Sequence, residues 1–90
     1  MKAEAMRPEH IRGVKTLLDL CFGASAWSED SIRSELEKND SVCTVVTDGG
    51  RVVAYLAFEV IADEGSVVEL AVDPEYRRRG MARKLLLGAM

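Results

Sequence analysis

Between Ser41 and Val72 the chain is punctuated twice and otherwise reads as strand. The runs "SVCTVVT", "RVVAYLAFEVIA" and "SVVELAV" are rich in β-branched residues, and only Asp48-Gly49-Gly50 and Asp63-Glu64-Gly65 separate them. Short β-rich runs joined by Asp/Gly turns predict consecutive antiparallel strands. The middle run is apolar on both faces, which predicts a central strand covered from both sides. The third run stops at Asp73-Pro74, because proline cannot continue a ladder.

Helices are expected on either side of these strands. Residues 2–7 read as a short first strand. Pro8 suits the first position of a helix, where its missing N–H costs nothing. Ile11, Val14, Leu18, Cys21 and Phe22 then form an apolar stripe, so a helix is expected from about Glu9 to Phe22, closed by Gly23. Ser28 is a good N-cap for a second helix, with Glu29 and Asp30 in its electropositive first turn. Trp27 and Ile32 stand in hydrophobic-staple positions. Only Ile32 and Leu36 are clearly apolar beyond that point, so this helix should be short and mostly exposed, ending at Asn39-Asp40. A last helix is expected from Arg79–Gly80, with Met81, Ala82, Leu85, Leu86 and Ala89 on its apolar face. The order β-α-α-β-β-β-α describes an α+β domain with an antiparallel sheet flanked by helices. The final strand has an open edge, and the last helix stops at Met90 within its apolar stripe. Residues 1–90 are therefore expected to form a single, truncated domain, the first part of a larger fold.

Composition narrows the function classes. A net charge of −3 over 90 residues argues against a general nucleic-acid binder. The start "MKAEAMRPEH" lacks the apolar core of a signal peptide, and no apolar run approaches the ~20 residues of a membrane span. Cys21 and Cys43 lack metal-ligand spacing and have only His10 to join them, so no metal site is expected. They read as reduced core cysteines, His10 as a surface residue, and the compartment as cytoplasmic.

The chemistry lies in "AVDPEYRRRGMARKLL", Ala71 to Leu86. A strand ends, Pro74 breaks it, and a helix begins. The first N–H groups of a helix have no partner within it and, with the macrodipole, favour an anion. Gly80 lets backbone approach a bulky anion without a Cβ in the way. The flanking arginines add attraction for phosphate. The segment is neither the P-loop nor the dinucleotide fingerprint. By itself R-x-x-G-x-A is a weak pattern, and Arg77–Arg79 has a bland reading as a solvated basic turn.

In context, "VVELAVDPEYRRRGMARKLL" resembles the acetyl-CoA-binding segment of the GNAT N-acetyltransferases. Val72, Pro74, Tyr76, Arg77, Gly80, Ala82, Leu85 and Leu86 match its strand, V-x-P-x-[YF] turn, [QR]-x-x-G-x-[GA] loop and leucine-bearing helix. Within the family, "AWSEDSI" and "ELAVDPEYRRRG" look most like the ribosomal-protein-alanine N-acetyltransferases. The resemblance implies a partial GNAT acyl-CoA N-acyltransferase fold, its N-terminal part only. It also implies acetyl-CoA as cosubstrate, held at its pyrophosphate by main-chain N–H groups of Arg78, Arg79, Gly80, Met81, Ala82 and Arg83, with Arg77 opening the loop. The pantetheine arm is expected along Leu70, Ala71 and Val72, where a strand N–H would help hold the thioester carbonyl.

The strand and helix that carry the catalytic glutamate and tyrosine of the alanine acetyltransferases have no counterpart in the 90 residues. Glu69 is the one carboxylate on the motif strand and the candidate catalytic base, since some family members place a water-linked base on this strand. Its plainer reading is a charge on an exposed strand face. Tyr76 reads as packing beneath the turn, Tyr55 and Phe58 as core, and Trp27 as a staple residue or an acceptor contact. The resemblance implies direct acetyl transfer to an amine, a protein or peptide N-terminus such as that of a ribosomal protein. The alternative is a non-catalytic half that binds CoA weakly or pairs with another chain, self-association running through the open strand edge and the last helix. No nucleic acid and no membrane partner is expected.

Overall fold

The computed structural model describes residues 1–77, 80, 83 and 85. Four strands form one antiparallel sheet in the order β1 (Lys2–Ala5), β2 (Ser41–Asp48), β3 (Arg51–Ile61) and β4 (Glu64–Val72). Two helices, α1 (Ile11–Phe22) and α2 (Glu29–Glu37), connect β1 to β2.

The helix boundaries follow local chemistry. Pro8 begins a 3-10 turn, Pro8–His10, that leads into α1. His10 is not a plain surface residue: its Nδ1 accepts the Arg7 N–H at 2.9 Å and closes a reciprocal cap at this turn. Gly23 ends α1 at a positive φ of 57°, a conformation glycine adopts without steric cost. Ser28 caps α2, its hydroxyl accepting the Ser31 N–H at 3.1 Å. The buried stripe of α1 is Ile11, Val14, Leu17 and Leu18. Phe22 instead stands 40 % exposed. It is the last residue of the helix.

The sheet separates two cores. On one face α1 and α2 bring Ile11, Val14, Leu18 and Ile32 against Cys43, Val45, Val52, Tyr55 and Ala57. On the other, Val46, Val53, Ala54 and Leu56 meet Leu85. Strand β3 is thus covered on both sides from Val52 to Ala57, as its composition predicts, while Val60 and Ile61 at its far end are exposed. Leu85 and Arg83 are helical, Leu85 fully buried and Arg83 exposed. The other positions expected on the last helix's apolar face, Met81, Ala82, Leu86 and Ala89, lie outside the described residues.

Two irregularities shape the sheet. Val46 pairs with Ala54 but Thr47 with Val52, so Val53 is an extra residue and Val53 and Ala54 both serve the second core. Ala57 pairs with Glu69 but Phe58 with Val67, so Val68 is extra. The β2–β3 turn is Gly49-Gly50, both at positive φ, as the sequence predicts. The β3–β4 turn differs from expectation. Ala62 and Asp63 carry it, at φ 52° and 66°, and Gly65 lies within β4. Gly65 answers to packing instead: a Cβ there would stand 2.2 Å from Cζ of Phe58.

Candidate active site

The candidate residues gather where β4 leaves the sheet. Leu70, Ala71 and Val72 end the strand, a 3-10 turn follows at Pro74–Tyr76, and Arg77 and Gly80 come next. Gly80 is exposed, and its φ of 72° is one that a residue with a Cβ rarely adopts. Arg83 lies exposed beyond it. Arg78, Arg79, Met81 and Ala82, also named for the pyrophosphate, lie outside the described residues.

The three strand residues differ in what they offer. Asp73 N–H donates to the Val53 carbonyl at 2.9 Å, so its main chain points into the sheet. By the alternation of an antiparallel ladder, Ala71 does the same, and Leu70 and Val72 turn their main-chain groups toward the free edge. Ala71 is buried, 3 % exposed, opposite Tyr55. The Val72 carbonyl already accepts from Cys21 Sγ at 3.4 Å and Arg77 Nε at 3.2 Å. Leu70, 40 % exposed, has the most accessible side chain of the three.

Glu69 is neither on an open face nor fully enclosed. It pairs with Ala57, which places its side chain on the helix side of the sheet, and it is half-buried. Burial raises its carboxyl above the ordinary range, while a hydrogen bond from the Leu70 backbone pulls the other way. The bulge puts Val68 on the same side, against the main core. Val68, Trp27, Ser31, Ser34, Glu35 and Lys38 line a cleft of about 460 Å³ between α2 and β4. Trp27 therefore both packs on the core and lines this cleft.

Two groups were not legible from the chain alone. Glu35 is 3 % exposed on the inner side of α2, where it accepts from Ser41 Oγ at 2.7 Å and Lys38 Nζ at 3.2 Å. Lys38 reaches Glu59 as well, at 3.1 Å. Asp73 is 1 % exposed, accepts from the Arg51 guanidinium, and caps the following turn by accepting the Glu75 N–H at 2.9 Å. An Asp before Pro is a visible turn signal, but its arginine partner is 22 residues away. Among the described residues no three His, Cys, Asp or Glu side chains converge as a metal site, and no helix is long and apolar enough to cross a membrane.

Residues 11–90 match the family model described as the acetyltransferase (GNAT) family. The [ribosomal protein bS18]-alanine N-acetyltransferase of Escherichia coli (strain K12) is 33 % identical over 63 residues, 70 % of this chain and 42 % of that protein. The crystal structure of the ribosomal-protein-S18-alanine N-acetyltransferase from Escherichia coli superposes with a TM-score of 0.80 at 24 % identity, covering 96 % of this chain and 54 % of that one. An aminoglycoside 6'-N-acetyltransferase complexed with coenzyme A has the same fold, with a TM-score of 0.82 at 12 % identity over 97 % of this chain and 52 % of that one. The chain spans about half the length of these relatives.

Proposed function

The chain belongs to the GNAT acetyltransferase family, and from that premise we propose that it transfers acetyl from acetyl-CoA to an amine, a protein N-terminal α-amine in the cytoplasm. The observation that carries the coenzyme reading is Gly80, exposed and at positive φ, four residues past the turn that closes β4. A residue there opens main-chain N–H groups to a pyrophosphate. The acceptor class rests on the 33 % identity to an enzyme named for the alanine of ribosomal protein bS18.

Each residue then has a task. The N–H groups from Arg78 to Arg83 hold the pyrophosphate, with Arg77 opening the loop. Leu70 offers main chain to the pantetheine arm at the free edge of β4, and Ala71 and Val72 keep that edge in register. The amine nitrogen attacks the thioester carbonyl carbon, the C–S bond breaks, and the thiolate leaves as CoA. A strand N–H meets the charge on the carbonyl oxygen. Glu69, raised by burial, takes the proton that the amine sheds.

Isothermal titration of CoA into the full chain tests this. The wild type is expected to bind, Arg78→Ala to bind a few-fold more weakly, and Gly80→Val not to bind. No heat and no shift in melting for the wild type would overturn the reading.

A second reading is favoured by apolar exposure on β2, β3 and β4: Val42, Val60, Ile61, Val67 and Leu70 are each at least 39 % exposed. In it the chain is a non-catalytic module that pairs with another chain along the edge of β4. Sedimentation at rising concentration separates the two, since a strict monomer excludes self-pairing.

A further inference from the structure

The tip of the β2–β3 hairpin grips the turn that follows β4 at both ends. The Tyr76 hydroxyl donates to Asp48 Oδ2 at 2.7 Å, and the Arg51 guanidinium donates to Asp73 Oδ2. Asp48 and Arg51 are cross-strand partners that flank Gly49 and Gly50. Within the turn, Asp73 Oδ1 accepts the Glu75 N–H and the Asp73 carbonyl accepts the Tyr76 N–H at 2.8 Å. The extra residue Val53 supplies the carbonyl that takes the Asp73 N–H. A bulge, a tight hairpin and two side chains therefore converge on four residues, Asp73 to Tyr76, from sites 20 to 28 residues earlier.

We infer that Asp48 and Arg51 are positioning residues that hold the Asp73–Tyr76 turn in the one conformation from which Arg77 and Gly80 present their main chain to the coenzyme. This rests on the reading of that turn as the coenzyme site. Neither side chain need touch the ligand. Arg51 keeps the carboxylate of Asp73 aimed at Glu75 N, and Asp48 keeps the Tyr76 ring seated against the second core. A loop held this way loses less conformational freedom when a ligand settles on it. Such an arrangement makes coenzyme affinity depend on a hairpin remote in sequence from the loop.

The test compares Asp48→Ala, Tyr76→Phe, their double variant, Arg51→Ala and Arg51→Lys in the full chain. Three quantities are read: CoA affinity by titration, melting temperature, and amide hydrogen exchange at Glu75, Tyr76, Arg77 and Gly80. Asp48→Ala and Tyr76→Phe are each expected to weaken CoA binding about 3- to 10-fold, the range of one hydrogen bond. Exchange at those four amides should quicken while the β2–β3 amides stay protected. The double variant should lose less than the sum of the two single ones, because they share that contact. Arg51→Lys should recover part of what Arg51→Ala loses. Weaker binding without faster exchange would make these residues direct contacts and overturn the inference. Unchanged affinity and unchanged exchange overturn it as well. A wild type that ignores CoA overturns the coenzyme reading instead, and the exchange rates alone then decide whether the hairpin holds the turn.

Discussion

The Ser41 hydroxyl donates to the buried Glu35 carboxylate across 2.7 Å, joining the inner side of α2 to the first residue of β2. Burial works to raise the Glu35 carboxyl, but the hydrogen bond from Ser41 and the contacts with Glu59 and Lys38 outweigh it and hold the group below the usual 4.5. A depressed carboxyl contributes stability above its unfolded value, and that stability is lost as pH falls through the folded value. Urea midpoints should therefore drop as pH is lowered below about 4.5. Glu35→Gln should start lower at pH 7 and stay nearly flat over the same window. Glu35→Ala should lose about 1.5–3 kcal/mol at pH 7, the worth of a hydrogen bond to a charged group. A wild-type midpoint no more acid-sensitive than that of Glu35→Gln would contradict this account.

Glu69 titrates in the opposite sense. Its carboxyl is raised by burial, so ionisation works against the fold, and stability falls as pH climbs from the ordinary 4.5 through the raised value. Glu69→Gln should match the wild type in denaturant midpoint at about pH 3, below the ordinary Glu value, and exceed it at pH 7. Equal midpoints at both pH values would show that the group is solvated.

Tyr55 is fully buried, and its hydroxyl faces the Cys43 thiol, a weak partner, with no oxygen or nitrogen partner among the described residues. Burial also raises both groups above their ordinary ionisation range. Removing a buried hydroxyl that has only a thiol beside it removes its desolvation cost and keeps the ring. Tyr55→Phe should accordingly be neutral or up to ~1 kcal/mol more stable by urea denaturation. A loss beyond ~1 kcal/mol would reveal a working hydrogen bond at that site.

Gly13 sits on α1 where a Cβ would stand 2.7 Å from Cγ2 of Val52. Alanine in a helix is favoured over glycine by about 1 kcal/mol, yet overpacking against a buried β-branched neighbour costs about 1–3 kcal/mol. Gly13→Ala should therefore destabilise the wild type. In a Val52→Ala background, where the 2.7 Å clash is removed and a 3.3 Å contact with the Cβ of residue 52 remains, the same change should destabilise less. Identical effects in the two backgrounds, measured as a double-mutant cycle, would locate the role of Gly13 elsewhere.

Much of the fold was legible because its signals act over a few residues. Ser28 caps α2 through a neighbour three residues on. Gly49 and Gly50 supply the positive φ that a two-residue hairpin demands. Alternation and β-branching mark the strands, and the double-sided apolarity of β3 predicts its central place. The second turn was misplaced because Asp63-Glu64-Gly65 carries two competing explanations for its glycine. Turn chemistry favours Gly65 at positive φ, but the ring of Phe58 requires it inside β4. Only the register of β3 against β4 chooses between them.

The candidate site divides along the same line. Pro74, Tyr76, Arg77 and Gly80 announce a strand-turn-helix motif in chain order, and its glycine does take positive φ. The two bulges, the burial of Glu35 and Asp73, and the grip of Asp48 and Arg51 carry no local mark. Each depends on a partner supplied by another element, 22 residues away for Arg51 and Asp73 and 28 for Asp48 and Tyr76. Sequence alone determined what is decided by one residue's own backbone preference or its nearest neighbours: caps, hairpin glycine, strand alternation and the motif's order. Tertiary structure decided which polar groups are buried and paired, because desolvation and hydrogen bonding are settled only when distant segments exclude water from the same place.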